Sequence, residues 1–172
     1  MTVPHPDTTV RSVFCAVLTI SDTRTRENDR SGQVTIQLLQ DAGHCVQFYQ
    51  ILRDEPDDIK QAIASLQTQR IIDVILINGG TGISPRDTTY DAIEPLLNKT
   101  LPGFGELFRM LSYSDIGSRA MASRAIAGTI GDQLLFSMPG SSNAVKLALE
   151  KLILPELSHL VTQLRGQTTP RS

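Results

Sequence analysis

The chain is predicted to fold as an α/β domain with a doubly wound, mostly parallel sheet and helices on both faces. Three observations predict it. Short apolar runs bounded by polar loops recur at 13–20 (VFCAVLTI), 45–52 (CVQFYQIL) and 74–78 (VILIN). Between them lie stretches whose apolar residues recur at helical spacing, and such alternation implies crossover connections and parallel strands. The loops that follow the runs are polar or glycine-rich, as expected where an open sheet turns its carboxyl ends toward a ligand.

The elements follow in order. The run 13–20 is continuous and partly β-branched, which marks a strand buried on both faces. After the charged loop SDTRTRENDRSG a helix is expected to start near Ser31, a residue suited to capping. Val34, Leu38 and Ala42 share a face of that helix, with Thr35 and Leu39 beside it, and Gly43 ends it. The run 45–52 is the second strand. RDEPDD turns into a helix marked by Ile59, Ile63 and Leu66. VILIN is the third strand, and Thr89 can cap the helix after its glycine loop, which ends near Leu97. In the second half Phe104 to Ser114 reads as a helix with Leu107, Met110 and Leu111 facing inward. AIAGTIGDQLLFSM reads as two short strands about a Gly-Asp turn, an antiparallel edge element. PGSSN leads into a helix with Val145, Ala148, Leu149 and Leu152 on one face. Pro155 is expected to interrupt it before a last helix lined by Leu157, Leu160, Val161 and Leu164.

Bulk properties bound the function. The 172 residues suit one domain, placed at 12–165, with loose tails at 1–11 and 166–172. A net charge of -2, no polybasic tract and no Trp argue against nucleic acid and against an anionic membrane surface. No segment has the length or apolarity of a signal peptide or a membrane span, so a cytoplasmic location is expected. Cys15 and Cys45 both lie in strand-like runs and are expected to be buried, reduced thiols. The three histidines, His5, His44 and His159, have no metal-ligand spacing.

The chemistry collects at the strand ends. Ser21-Asp22, Arg53-Asp54-Glu55, the stretch from Gly79 to Asp87, and the stretch from Met138 to Ser142 should all reach one rim. Gly79, Gly80 and Gly82, with Thr81 among them, let the backbone turn tightly and approach an anion closely. The stretch is not a Walker A loop, and it only half matches a dinucleotide fingerprint, because Pro85 stands where a third glycine belongs. A tight strand-to-helix connection would use the same glycines. Asp87 argues for more, because a carboxylate beside phosphate requires a cation between them, and Mg²⁺ commonly bridges carboxylates and substrate phosphates. Asp54, after the neighbouring strand, is the second candidate ligand. Arg86 could neutralise phosphate or pin Asp87. Pro139 and Gly140 bring the chain to a helix start at Ser141, which could hold an anion or simply cap the helix. No Gly-x-Ser-x-Gly elbow is present, and no histidine is placed as a base.

These motifs together resemble the MoaB/Mog family of molybdenum cofactor biosynthesis proteins. The matching stretches are VLTISDTRT, DRSGQ, GGTGISPRDTTYDAI, LPGFGELFRMLSY, SRAIAG and MPGSSNAVKLALEKLILPEL, in the family's order. The resemblance implies a molybdopterin-binding fold and a homo-oligomer, a trimer or a dimer of trimers. It implies transfer of AMP from Mg-ATP to the terminal phosphate of molybdopterin, with Asp54 and Asp87 as catalytic and Mg²⁺-binding aspartates. Gly79, Gly80 and Gly82 would form its glycine loop, Ser141 would contact substrate, and Glu106 would lie near the site. The product would pass to a molybdenum-insertion protein. A carrier that binds molybdopterin without ATP is the alternative in the same pathway.

Overall fold

The computed structural model describes residues 12–166. The tails expected at either end lie outside that span, apart from Gly166. Six strands form one sheet: β1 (Phe14–Ile20), β2 (Cys45–Leu52), β3 (Val74–Asn78), β4 (Lys99–Thr100), β5 (Ile126–Ile130) and β6 (Gln133–Met138). Their spatial order is β2-β1-β3-β6-β5-β4. The pairings of β2, β1, β3 and β6 are parallel, and β5 and β4 add an antiparallel edge. The helices are α1 (Arg30–Asp41), α2 (Pro56–Gln67), α3 (Thr89–Ile93), α4 (Pro102–Ile116), α5 (Ser142–Ala148) and α6 (Leu154–Arg165). Among the described residues, no helix is long and apolar enough to cross a membrane.

The alternation of side chains along each strand builds two cores. Val13, Cys15 and Val17 of the first strand region join Val74, Leu76, Leu134 and Phe136 under α1, α4, α5 and α6. Ala16, Leu18 and Ile20 point the other way, with Ile75, Ile77 and Leu135, onto Ile59, Ile63 and Leu66 of α2 and Ala92 and Ile93 of α3. That two-sided burial is why β1, β3 and β6 read as unbroken apolar runs. Strand β2 lies at the sheet edge and mixes exposed with half-buried positions. Its first residue, Cys45, is exposed, so only Cys15 is the buried thiol that was expected. Burial, with the nearby Asp73 carboxylate, raises the Cys15 thiol far above its ordinary range.

Four expectations need correction. The cap of α1 is Asp29, whose carboxylate accepts from the Gly32 amide at 3.0 Å, while Ser31 is the second helical residue and fully buried. The cap of α3 is Thr88, with Thr89 already inside the helix. Helix α4 buries Phe104, Phe108 and Ser112, leaving Leu107 and Met110 exposed. Both faces are apolar, and the aromatic pair takes the core, with Phe104 meeting Phe136 edge-on at a centroid distance of 5.3 Å. Pro155 does not break the chain's last helical region. The turn at Leu149–Ile153 widens to a π-helix and α6 begins directly after it. A wider turn accommodates the missing proline N–H and the bulk of its ring. The Gly-Asp turn between β5 and β6 is as expected, with Gly131 at φ +57 supplying the positive dihedral of a two-residue hairpin.

Candidate functional site

The chain passes from β1 to β2 on one side of the sheet and returns to place β3 on the other side of β1. Loops after β1 and β3 therefore part at this point and leave a crevice, the position at which open α/β sheets bind ligands. Backbone contacts tie the four loops together. Ser21 donates its amide to the Leu52 carbonyl at 2.8 Å, and Gly79 donates to the Met138 carbonyl at 3.0 Å. Gly79 lies at φ +109 with its α-carbon against the Ile20 carbonyl, where no Cβ fits. Asp22, Asp54, Gly79, Gly80, Thr81, Gly82, Asp87, Pro139, Gly140 and Ser141 are thus all brought to the carboxyl-end rim.

The glycines are shaped first of all to the protein's own carboxylates. A Cβ on Gly80 would collide with the Asp54 carboxylate and the Thr89 hydroxyl, and one on Gly82 would meet Asp87 Oδ2 at 2.7 Å. Asp54 is buried. Its Oδ1 accepts from the Thr88 amide at 3.0 Å and from the Thr88 hydroxyl at 2.7 Å. Oδ2 remains over Gly80, beside a Thr89 hydroxyl that is buried and has no hydrogen-bond partner among the described residues. Asp87 Oδ2 accepts from the Ser84 amide at 3.0 Å and so folds the loop tip back on itself.

These oxygens suit a hard divalent cation. Among the described residues no three His, Cys, Asp or Glu side chains converge as metal ligands. Two carboxylates and a hydroxyl, completed by ligand oxygens and water, match the way Mg²⁺ is held beside substrate phosphates. Carboxylate and hydroxyl oxygens are donors that Mg²⁺ accepts, so the donor types at this rim fit that ion.

Arg86 does not pin Asp87, as one reading of the sequence allowed. It crosses the rim to Asp22, donating from Nε at 2.7 Å and Nη2 at 2.9 Å, and it donates from Nη1 to Glu55 at 2.7 Å. The Arg86 bonds, followed by the Asp54 amide, hold the Asp22 carboxyl below its usual range. Ser141 performs the capping role, accepting from the Ala144 amide at 3.2 Å, and remains exposed on a cleft of about 410 Å³ between α4 and α5. Glu106 is exposed on α4 and lines a separate cleft of about 230 Å³ with Arg109, Tyr90 and Glu94.

Two clusters escaped the sequence reading as site residues. Under the rim, Arg24 donates to Asp29 at 3.3 Å, to the Ser31 hydroxyl and to the Gly140 carbonyl at 2.8 Å. Burial pushes the Asp29 carboxyl up, but hydrogen bonds from Tyr49, Gly32 and Ser31, with the Thr19 hydroxyl close by, outweigh it and leave it below the usual range. The second is Arg124, which donates from Nε to the Gly82 carbonyl and from Nη2 to the Asp87 carbonyl, each at 2.9 Å. The only sequence signal for Arg124 was its place in SRAIAG.

Known proteins share this arrangement of chain. Residues 16–159 match the family described as a probable molybdopterin binding domain. Molybdenum cofactor biosynthesis protein B of Bacillus anthracis is 54% identical over 164 residues, covering 95% of this chain and 97% of that protein. Its namesake in Bacillus subtilis is 53% identical, covering 89% of this chain and 91% of that protein. A crystal structure of a molybdenum cofactor biosynthesis protein B superposes with a TM-score of 0.88 at 55% identity, covering 90% of this chain and 97% of that one. The tungsten cofactor synthesizing protein MoaB of Pyrococcus furiosus superposes at 0.80 with 35% identity, covering 92% of this chain and 100% of that one. With the domain matched across most of its length and relatives more than half identical, the chain belongs to the family of molybdenum cofactor biosynthesis protein B.

Proposed function

We propose that the protein binds molybdopterin at the glycine-loop rim and transfers AMP from Mg-ATP to its terminal phosphate. The observation that carries this reading is the pair of aspartates, Asp54 and Asp87, each packed against a glycine of one loop. In the reaction a molybdopterin phosphate oxygen attacks the α-phosphorus of ATP. The new P–O bond forms as the bond to the β-phosphate bridging oxygen breaks, and pyrophosphate leaves. Bound Mg²⁺ would supply charge neutralisation between phosphates and carboxylates. Thr88 holds Asp54 in one rotamer, and the Ser84 amide does the same for Asp87, so both carboxylates meet the substrate already oriented. Arg86 can exchange Asp22 and Glu55 for phosphate oxygens, because its present partners are themselves solvent-exposed. Ser141 stands at the mouth of the neighbouring cleft, where it can contact the substrate. Catalysis then consists of positioning and electrostatic stabilisation, the usual demand of phosphoryl-type transfer.

A carrier role is the second reading. The Ser84 bond gives Asp87 a structural task that requires no metal. Chromatographic detection of adenylylated molybdopterin after mixing the protein with molybdopterin and Mg-ATP separates the two. Product formed by wild type, dependent on Mg²⁺ and lost in Asp87→Asn, supports transfer. Tight molybdopterin binding without product makes the protein a carrier.

A homo-oligomer, a trimer or a dimer of trimers, in the cytoplasm completes the proposal. Its support is the series of large apolar side chains left exposed along α4 and the turn after it, Leu107, Met110, Tyr113, Ile116 and Met121. Sedimentation of Met110→Glu against wild type tests it, with a fall in mass expected. Hand-over to a molybdenum-insertion protein would follow product release.

A further inference from the structure

We infer that Arg124 is a positioning residue, which closes the neck of the glycine loop and thereby sets where the Asp87 carboxylate lies; its catalytic consequence rests on the proposed transfer reaction. The loop cannot orient itself. Its internal bonds, Asp87 amide to Ser84 carbonyl at 2.9 Å and Ser84 amide to Asp87 Oδ2 at 3.0 Å, close the tip on itself, while Arg86 reaches out to Asp22 and Glu55 and Thr88 to Asp54, but none of these bonds joins the tip's two ends. Three attachments come from one residue. The Arg124 amide donates to the Thr81 carbonyl at 3.2 Å. Its Nε and Nη2 donate at 2.9 Å to the carbonyls of Gly82 and Asp87, which stand at opposite ends of the tip 83–86. The fork is itself fixed from behind. Nη1 donates to both Asp91 oxygens, at 3.0 and 2.9 Å, and the guanidinium lies 5.1 Å from the Tyr90 ring centroid. Asp91 and Tyr90 belong to α3, and Arg124 stands just before β5. One planar group thus ties the loop to both the helix after it and the sheet beside it. A lysine presents a single charged point and cannot span two carbonyls.

The test is Arg124→Lys in the full chain, read in two ways. Amide hydrogen exchange at Ser84 reports the Asp87 bond directly, and exchange is expected to rise at least about tenfold while β3 amides are unchanged. In the transfer assay kcat is expected to fall roughly 10²-fold with KM for Mg-ATP changed by less than about threefold, since misplacement of a catalytic group acts on the reacting geometry. Should Arg124→Lys not fold, Asp91→Asn loosens the same fork from behind and is expected to shift both readouts in the same direction by less. Unchanged Ser84 protection in these variants overturns the inference. Faster Ser84 exchange together with a wild type that makes no product upholds the positioning role and removes the transfer reading instead.

Discussion

Two arginines anchor the loop between β3 and α3, Arg86 from within it and Arg124 from outside, and they do different work. Arg86 is half-exposed, and among the described residues its guanidinium bonds only to side chains, the carboxylates of Asp22 and Glu55 across the rim. Arg124 is better buried and bonds chiefly to backbone carbonyls at the loop's neck, backed by Asp91. Exposed ion pairs are screened and cheap to exchange. Carbonyls gripped by a fork lose their partner altogether when the fork is removed. The first arrangement suits a group that trades partners when an anionic ligand arrives, and the second suits a group that never moves. The same contrast separates the two aspartates from the acids around them, because Asp54 is buried against Gly80 while Asp22 and Glu55 are spent on Arg86.

The largest expected effect comes from filling the neck. Gly80→Ala places a methyl group on Asp54 and Thr89 at a φ of +63, and should cost about 3 kcal/mol by denaturant unfolding, combining left-handed strain with a forced shift of a buried carboxylate. Arg124→Ala should cost about 2 kcal/mol, since two carbonyls lose charged donors, and 1 M salt should change that loss little. Arg86→Gln should leave the melting temperature nearly unaltered in 1 M salt while weakening pyrophosphate binding in low salt. If Arg86→Gln proved as destabilising as Arg124→Ala, the distinction between the two arginines would be wrong.

The smallest effect is a pH dependence. The folded Asp22 carboxyl is lowered by Arg86, so its contribution is complete above the ordinary carboxylate value of about 3.9 and is lost as pH falls through the lower folded value. NMR of the Arg86 Nε–H should therefore show the strap intact from neutral pH down to about 4 and released only below it. His44 has the opposite chemistry but the same direction. Burial lowers its folded pKa, so below about 6.5 the unfolded chain binds the proton more readily and stability declines. Replacement of His44 by Gln should flatten that decline.

The parallel half of the sheet and the rim were legible because local chemistry announced them. Strands buried on both faces are continuous apolar runs, and the runs give way to polar or glycine-rich residues, such as Asp54 after β2 and the Gly79–Gly82 stretch after β3. Strand β4 was missed because Lys99 and Thr100 are exposed and form only a two-residue pairing with β5. The inward face of α4 was misread because two apolar faces run along it, and spacing alone does not say which one the Phe104–Phe136 contact will claim. Arg124 was missed as a site residue for a different reason. Its acceptors are the carbonyls of Gly82 and Asp87, some forty residues earlier, and backbone acceptors carry no residue-type signal. Arg86 was assigned to the site but not to Asp22 and Glu55, since the sequence places Asp87 beside it and says nothing of the rim's width.

The central claim is that the Arg124 fork acts on the reaction through Asp87. A double-mutant cycle of Arg124→Lys and Asp87→Asn on kcat for adenylyl transfer tests it most directly. If the claim holds, the double variant is no slower than Asp87→Asn alone, because a misplaced neck has no carboxylate left to misplace. Losses that multiply would show that Arg124 acts independently of Asp87 and would contradict the account.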